Sequence, residues 1–95
     1  MKLKIVFLLF VGAIFIGCTK PPEACFDFTS FDKYIFFDPN CSEDADSYEW
    51  DFGDGETSTQ TYPTHQYDFA GTYEVRLLAR NKKGERLIWK SVTVY

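Results

Sequence analysis

Apolar and polar residues alternate along much of the chain. At residues 48–52, three aromatic residues alternate with two acidic ones. Residues 72–81 repeat this pattern with aromatic and aliphatic residues, and Leu78 is the exception. Because side chains at every second position share one face of a strand, both segments are predicted to be strands with one buried face. After residue 17, no long stretch has the apolar spacing of an amphipathic helix, so the predicted class is all-β.

Shorter apolar segments between turn-forming residues predict the remaining strands. Residues 34–37 are apolar on both sides, which suits a strand inside a sheet. The last segment has Val92 and Val94 on its inward side. Six or seven short strands separated by turns predict a β-sandwich. These shorter segments are residues 24–29, 34–37, 56–61, 64–67 and 85–95.

The sequence Gly53-Asp54-Gly55 directly follows the aromatic strand. Glycine tolerates positive φ, so this segment is predicted to reverse the chain tightly. Aspartate side chains accept hydrogen bonds from nearby backbone N–H groups in turns, and Asp51 and Asp54 are expected to do so here. The aromatic strand is therefore predicted to be a central strand with a tight reversal at its end.

Residues 1–17 have the composition of a secretory signal peptide, which is expected to be helical. Lys2 and Lys4 precede an apolar run at residues 5–16 that is shorter than the roughly 20 residues of a spanning helix. The run ends in Phe-Ile-Gly before Cys18. This resembles the bacterial lipobox, in which the cysteine is acylated and becomes the mature N-terminus. The alternative is an ordinary signal peptide with an incidental cysteine, although a cleavage site of the A-x-A type is absent.

Acylation of Cys18 would place the protein in the cell envelope, because several acyl chains hold a protein stably on a membrane. Residues 18–23 are then a tether, whose two prolines favour an extended chain that lifts a domain of residues 24–95 off the bilayer. Thr19 differs from the aspartate that often retains lipoproteins at the inner membrane. The outer membrane is therefore the expected location.

The net charge argues against two classes of partner. Without Lys2 and Lys4, 8 basic residues oppose 14 acidic ones, which gives 8 − 14 = −6. Phosphate backbones repel such a surface, so nucleic acid is not expected as a partner. The same charge argues against docking on anionic lipid head groups beyond the acyl anchor.

Three cysteines are present, and acylation would use one of them. Cys25 and Cys41 remain as a pair in an oxidising compartment. In a hairpin whose turn centres near Lys33, these two cysteines lie opposite each other, which predicts a disulfide. Its loop of about 15 residues corresponds to roughly 3 kcal/mol in the chain-entropy model. Two buried free thiols are the alternative, and a zinc site is not expected because His65 does not complete a four-ligand set.

Four motifs follow one another along the chain: residues 48–55 (Tyr-Glu-Trp-Asp-Phe-Gly-Asp-Gly), residues 63–67 (Pro-Thr-His-Gln-Tyr), residues 71–75 (Gly-Thr-Tyr-Glu-Val), and Asn81 with Gly84. Together they resemble the PKD domain family, and the resemblance covers residues 24–95. It implies an immunoglobulin-like sandwich of about seven strands, with Trp50 in the core and Tyr73 as the tyrosine corner of such folds. It also implies a non-catalytic module of an extracellular protein, used for protein or carbohydrate contact or as a spacer. The motif positions are Tyr48, Trp50, Asp51, Phe52, Gly53, Asp54, Gly55, His65, Tyr67, Gly71 and Tyr73.

Other polar residues are expected to be structural. Asp38, Asp44 and Asp46 could hold calcium, which binds six to eight oxygens, but they lack the regular spacing of a calcium loop and are expected to form turns. His65 has no accompanying G-x-S-x-G or similar motif, so a structural hydrogen bond is expected for it. No catalytic residue, bound metal or cofactor is therefore predicted.

Trp89 is the candidate for ligand contact. It faces outward if Val92 and Val94 point inward, and an exposed tryptophan can stack on a sugar ring or anchor a partner protein. A bulge that turns its ring inward is the alternative. An exposed aromatic patch would favour a membrane-anchored module that binds protein or carbohydrate. A uniformly polar surface would favour a passive spacer or a subunit of an envelope assembly.

Overall fold

The computed structural model describes residues 20–95. The predicted signal peptide and Cys18 lie outside the described residues. Within residues 20–95 the chain forms seven strands, and no helix there has the length and apolar character needed to cross a membrane. The strands are β1 (Asp27–Phe31), β2 (Tyr34–Asp38), β3 (Ser47–Asp51), β4 (Thr57–Ser58), β5 (Thr64–Gln66), β6 (Gly71–Asn81) and β7 (Gly84–Val94).

The strands form two antiparallel sheets that enclose one core. The three-stranded sheet has the order β1-β2-β5, and the four-stranded sheet has the order β4-β3-β6-β7. β6 and β7 pair along their whole length, from Gly71 opposite Val94 to Asn81 opposite Gly84. The predicted all-β class and sandwich architecture are confirmed.

The core lies between the sheets and is rich in aromatic rings. Trp50 from β3 is fully buried, and its ring centroid lies 5.3 Å from those of both Phe26 and Phe37. The Trp50 Nε1–H donates a hydrogen bond of 2.8 Å to the carbonyl of Gln60, which satisfies its polar atom. The other members of the buried cluster are Ile35, Phe52, Tyr67, Val75, Leu77, Val92 and Val94.

The β1–β2 hairpin differs from its predicted register. Asp32 and Lys33 form a two-residue turn, and Asp32 adopts the left-handed conformation with φ of 58°. The observed strand pairing, when continued, places Cys25 opposite Asn40 instead of Cys41. The predicted register was therefore wrong by one residue, because the chain reverses between Asp32 and Lys33 and not around Lys33.

Cys25 and Cys41 nevertheless form the predicted disulfide, with their Cα atoms 5.3 Å apart. Both cysteines lie beyond the ends of the paired strands, where the backbone can depart from the hairpin register. The Ser42 hydroxyl accepts a hydrogen bond of 2.9 Å from the Cys25 N–H and donates one of 2.6 Å to the Cys25 carbonyl. Loop contacts, and not the strand register, bring the two cysteines together.

Residues 20–23, which fall in the predicted tether, lie against the sandwich. Pro22 is buried. Glu23 pairs with Glu43 through two backbone hydrogen bonds of 2.9 Å. The packed part of the chain therefore begins before residue 24.

Candidate binding surfaces

The glycine turn after β3 is held by its own aspartates. Gly53 has φ of 83°, and a Cβ at this position would lie 2.5 Å from the carbonyl oxygen of Glu74. The Gly53 N–H donates to Asp51 Oδ1 at 3.0 Å, and the Glu56 N–H donates to Asp54 Oδ1 at 3.1 Å. Both aspartates therefore stabilise the turn, and glycine at position 53 is required by the close approach of β6.

His65 connects β5 to this turn. Its Nε2 shares a hydrogen bond of 2.7 Å with Asp54 Oδ2, and its ring stacks on Phe52 at a centroid distance of 4.1 Å. The side chain is buried. Among the described residues, no hydroxyl or thiol is hydrogen-bonded to the ring, so the geometry offers no nucleophile for this histidine to activate. A packing role accounts for its contacts.

Two tyrosines continue the same packed layer. The Tyr67 hydroxyl donates to the carbonyl of Phe52 at 2.8 Å, and the Tyr73 hydroxyl donates to the carbonyl of Phe69 at 2.7 Å, four residues back in the chain. Their rings stack at a centroid distance of 4.3 Å. Burial, and next the charge of Asp54, raise the pKa of Tyr67 far above that of a free phenol, so it remains a neutral donor. The two tyrosines therefore stabilise the end of the sandwich that contains the glycine turn and the turn before β6.

The acidic loop before β3 shows structural contacts. Asp38 Oδ1 accepts a hydrogen bond of 2.8 Å from the Asn40 N–H. Asp44 has a φ of 61° and lies 3.5 Å from the Lys20 ammonium, and the Asp46 N–H bonds to the backbone of β6. Within residues 20–95, no group of three or more His, Cys, Asp or Glu side chains is placed to hold a metal ion. The loop geometry accounts for these aspartates as turn residues.

Trp89 lies on the outer face of the four-stranded sheet. It is 57% exposed and stands opposite Arg76 in an unbroken β6–β7 register. Val92 and Val94, an odd number of positions away, are buried on the inner face. The alternative of a bulge that turns Trp89 inward is therefore excluded by the pairing.

Two leucines join Trp89 in an apolar patch. Leu78 and Leu87 are directly opposite each other in β6 and β7, and Leu87 is 53% exposed. We refer to Leu78, Leu87 and Trp89 as the Trp89 patch. Leu78 broke the alternation in the sequence because it is an apolar residue on the outer face. Leu87 was not singled out, although it shares the parity of Trp89.

Charged side chains surround the Trp89 patch. Arg76 pairs with Glu74 at 2.9 Å on one side. Arg80 pairs with Glu49 at 3.0 Å and lies 3.8 Å from Glu85 on the other side. A shallow cavity of about 250 Å³ adjoins the patch. Its lining includes Glu49, Asp51, Thr57, Arg76, Leu78 and Leu87.

A second exposed apolar surface lies on the outside of the three-stranded sheet. Phe31, Tyr34 and Phe36 are 72%, 43% and 46% exposed, and we refer to them as the aromatic face. Phe31 lies opposite Tyr34, and Phe36 lies between Thr29 and Thr64 of the neighbouring strands. The sequence showed residues 34–37 as apolar on both sides, which correctly favoured an inner strand. It did not reveal that one of those sides faces solvent.

Comparison with known proteins agrees with this architecture. A family model described as "PKD domain" matches residues 22–94. Collagenase ColA of Clostridium perfringens (strain 13 / Type A) is 44% identical over 76 residues, which cover 73% of this chain and 7% of that protein. Collagenase ColQ1 of Bacillus cereus (strain Q1) is 46% identical over 55 residues, which cover 54% and 6%. The chain thus spans less than a tenth of the length of these relatives.

Solved structures show the same fold. The crystal structure of the PKD1 domain from Vibrio cholerae metalloprotease PrtV is 33% identical, with a TM-score of 0.70, and the match covers 77% of this chain and 95% of that one. A structure described for promiscuous carbohydrate-binding modules of the β-sandwich superfamily is 30% identical, with a TM-score of 0.70, and the match covers 79% of this chain and 34% of that one. The family match extends over nearly all of the packed residues and agrees with the observed strands. The chain therefore belongs to the PKD domain family.

Proposed function

We propose that this protein is a non-catalytic binding module, held outside the cytoplasm by lipid on Cys18, whose Trp89 patch contacts a partner protein. The observation that carries the proposal is the exposure of Trp89 and Leu87 side by side on the outer face of the four-stranded sheet. A passive spacer has no need of such a surface, since contiguous exposed apolar side chains mark interaction sites.

The chemistry of the Trp89 patch favours a protein over other ligands. Its centre is apolar, and its border consists of ion pairs made by Arg76 and Arg80. Protein interfaces have this arrangement, with tryptophan and arginine carrying much of the binding energy inside a polar rim. Because the border charges are already paired with each other, a partner would not have to bury an unpaired charge.

The aromatic face supports a second candidate, contact with carbohydrate. Aromatic rings stack on sugar rings, and the residues directly opposite Phe36 in the two neighbouring strands are Thr29 and Thr64, whose hydroxyls can bond to sugar hydroxyls. The similarity to a structure of carbohydrate-binding modules favours the same class of ligand. We therefore treat protein binding by the four-stranded sheet and carbohydrate binding by the three-stranded sheet as separate hypotheses.

Two observations support a location in the cell envelope. The Cys25–Cys41 disulfide fits an oxidising compartment. The signal-like segment before Cys18 resembles a lipobox, and the residue after the cysteine is Thr19, which favours the outer membrane. The corresponding test of the anchor is Cys18→Ser, which should release the protein from the membrane fraction or stop its processing.

Capture of partners by the full-length protein in its own envelope tests the binding surface. Trp89→Ala should weaken capture of a specific partner by about 30-fold, which corresponds to the roughly 2 kcal/mol of a hot-spot residue. Phe31→Ala is the matched control, because it removes a comparably exposed aromatic ring from the opposite face.

The outcomes separate the candidate functions. The proposal is supported if Trp89→Ala loses capture of the partner protein and Phe31→Ala retains it. Loss of retention on an insoluble polysaccharide, such as chitin or cellulose, with Phe31→Ala supports the second candidate. Full retention by both variants in both assays would leave the passive spacer as the function.

A further inference from the structure

β7 ends the four-stranded sheet, and within residues 20–95 no strand lies on its outer side. The sheet order is β4-β3-β6-β7, so β7 pairs with β6 alone. It is 11 residues long, whereas the other strands that end a sheet, β1, β4 and β5, have five, two and three residues. A long edge strand presents a row of unpaired backbone groups that another strand can bind.

The hairpin geometry identifies the residues whose backbone faces outward at this edge. Lys82 and Lys83 are the two turn residues between β6 and β7, so the flanking Asn81 and Gly84 form the first hydrogen-bonded pair. Because bonded and non-bonded pairs alternate, the even-numbered residues of β7 bond to β6. The N–H and C=O groups of residues 85, 87, 89, 91 and 93 point away from β6, and none has a hydrogen-bond partner within residues 20–95. We refer to these groups as the open edge.

β7 lacks most of the features that block an edge strand. It contains no proline, and its register with β6 is unbroken, so no bulge twists it away. Lys90 points inward, a placement that usually discourages strand addition. Its ammonium, however, is bonded to the carbonyl of Phe26 and lies 3.7 Å from Asp27. The charge of Lys90 is therefore held by its own chain and does not face across the open edge.

A second copy of β7 can pair along the whole strand in only one antiparallel register. The midpoint of Gly84–Val94 is residue 89, so full overlap places Trp89 opposite Trp89 of the second copy. Residues 85 and 87 then lie opposite residues 93 and 91, and each odd-numbered residue meets another from the open edge. Five residue pairs with two hydrogen bonds each satisfy every open backbone group in both copies.

Charge and strand geometry argue against the neighbouring registers. A slip of two residues places either Lys90 opposite Lys90 of the second copy or Arg86 opposite Lys90. Like charges directly opposite each other destabilise a pair of strands. A slip of one residue pairs odd-numbered with even-numbered residues, whose backbone groups are already bonded to β6. In the register of full overlap, by contrast, Glu85, Arg86 and Lys90 each face an uncharged residue.

We propose that two copies of this chain associate through the open edge of β7, in the register of full overlap, and join their four-stranded sheets into one. The two Trp89 rings gain a cross-strand aromatic contact at the twofold axis. Because the open edge pairs with itself, association stops at two copies. The two Trp89 patches then lie side by side on one outer face. This inference concerns the edge of the sheet and goes beyond the proposed function, which concerns its face.

Cross-linking in intact cells tests the register. The full-length protein is produced as Glu85→Cys and as Thr93→Cys, separately and together, and is treated with a short bismaleimide. In the proposed register, position 85 of one copy lies opposite position 93 of the other, with Cα atoms about 5.5 Å apart. Identical positions are 93 − 85 = 8 residues apart along the strand, or about 27 Å. Cross-linked dimers are therefore expected when both variants are produced together and not with either alone.

A proline at position 91 tests the role of the backbone groups. The Ser91 N–H belongs to the open edge, so Ser91→Pro removes no bond to β6, and proline is tolerated on an edge strand. Added to both cysteine variants, it should lower the yield of cross-linked dimer by about tenfold or more, because central hydrogen bonds are lost. Ser91→Ala is the matched control, since it keeps the N–H and should leave the yield unchanged.

The outcomes decide for or against a second copy at the open edge. Dimers that form only in the mixture and are lost with Ser91→Pro support the proposal. Equal cross-linking by the single variants overturns the register. Absence of cross-linked dimers, or cross-links to a different protein instead, overturns the second copy as the occupant. If Ser91→Pro does not fold, the comparison of mixed and single variants still decides. The Trp89 patch is left intact in every variant, so failure of the proposed function is recognised separately in the capture assay.

Discussion

The two outer faces of the sandwich carry different chemistry on one fold. On the four-stranded sheet, Trp89 and its two leucines are bordered by ion pairs. On the three-stranded sheet, Phe36 lies directly between Thr29 and Thr64, and Asp27, two residues before Thr29 in β1, is ion-paired with Lys90. This difference shows that the outward positions of each sheet vary independently of the core, because consecutive residues of a strand point to opposite faces.

The sheets also differ in how they are held. β6 and β7 are 11 residues long and pair throughout, whereas the strands of the three-stranded sheet have five, five and three residues. The shorter sheet depends on the disulfide next to β1 and on side chains that reach the other sheet. We therefore expect the aromatic face to be less stable locally than the Trp89 patch.

The largest loss of stability is expected from substitution of Trp50, because both sheets pack against this residue. Trp50→Ala removes a fully buried ring that contacts Phe26 of one layer and is part of β3 in the other. The free energy of unfolding should fall by about 3–5 kcal/mol, and any binding by either of the two proposed surfaces should be lost with it. Chemical denaturation measures the first, and a variant that melts close to wild type would show that the two sheets do not share this core.

Loss of the Cys25–Cys41 disulfide should destabilise the three-stranded sheet more than the four-stranded sheet. Cys25→Ser combined with Cys41→Ser removes a cross-link of 16 residues' separation, worth about 3 kcal/mol in the chain-entropy model. The melting temperature should fall by roughly 10 °C or more for a domain of this size. Hydrogen exchange should rise first at β1 and β2 and later at β6 and β7. Uniform acceleration in all four strands would contradict the difference in local stability.

Tyr67 tests the connection between the sheets at the end opposite the disulfide. Its hydroxyl, just after β5, bonds to the carbonyl of Phe52, just after β3. Tyr67→Phe should lower the free energy of unfolding by about 1 kcal/mol at neutral pH. Tyr95→Phe is the control, since Tyr95 is 90% exposed.

The burial of Tyr67 also predicts that the stability of the folded protein decreases at alkaline pH. Because burial raises the pKa of Tyr67 in the folded state, its contribution to stability is complete below the unfolded pKa of about 10 and is lost as pH rises above that value. Denaturation of wild type should therefore become easier above about pH 10, and Tyr67→Phe should show a shallower decline. Identical pH profiles for the two proteins would contradict the effect of burial on this phenol.

Local patterns predicted the inner faces well and the loops poorly. The alternation around Trp50 correctly predicted that this residue is buried, because a strand with one apolar face buries that face in only one orientation. The register at Cys25 depended on whether a turn uses two or three residues, and Asp32 decided this through a left-handed conformation that its sequence neighbours do not require. The contact of Lys20 with Asn81 spans 61 positions and has no local signal.

The residues that face outward could be predicted only in part from the sequence. The parity of Trp89 was readable from Val92 and Val94, but a bulge would have reversed it, and only strand pairing excludes a bulge. The exposure of Phe36 was hidden because an apolar run has the same appearance whether its second side is covered or open. Which of the two apolar sides meets solvent depends on the packing partner, which no single strand contains.

The smallest change in stability, and the sharpest test of the comparison, is expected from the exposed rings themselves. Trp89→Ala and Phe36→Ala should each alter the free energy of unfolding by only about 0.5 kcal/mol, because neither opens a cavity in the core. Since the two sites lie on opposite sheets, the double variant should show the sum of the single effects in thermal unfolding. In binding, Trp89→Ala should weaken protein capture and leave polysaccharide retention intact, and Phe36→Ala should do the reverse. A coupled loss, in which either variant abolishes both activities while the protein stays folded, would show that the two faces form one site.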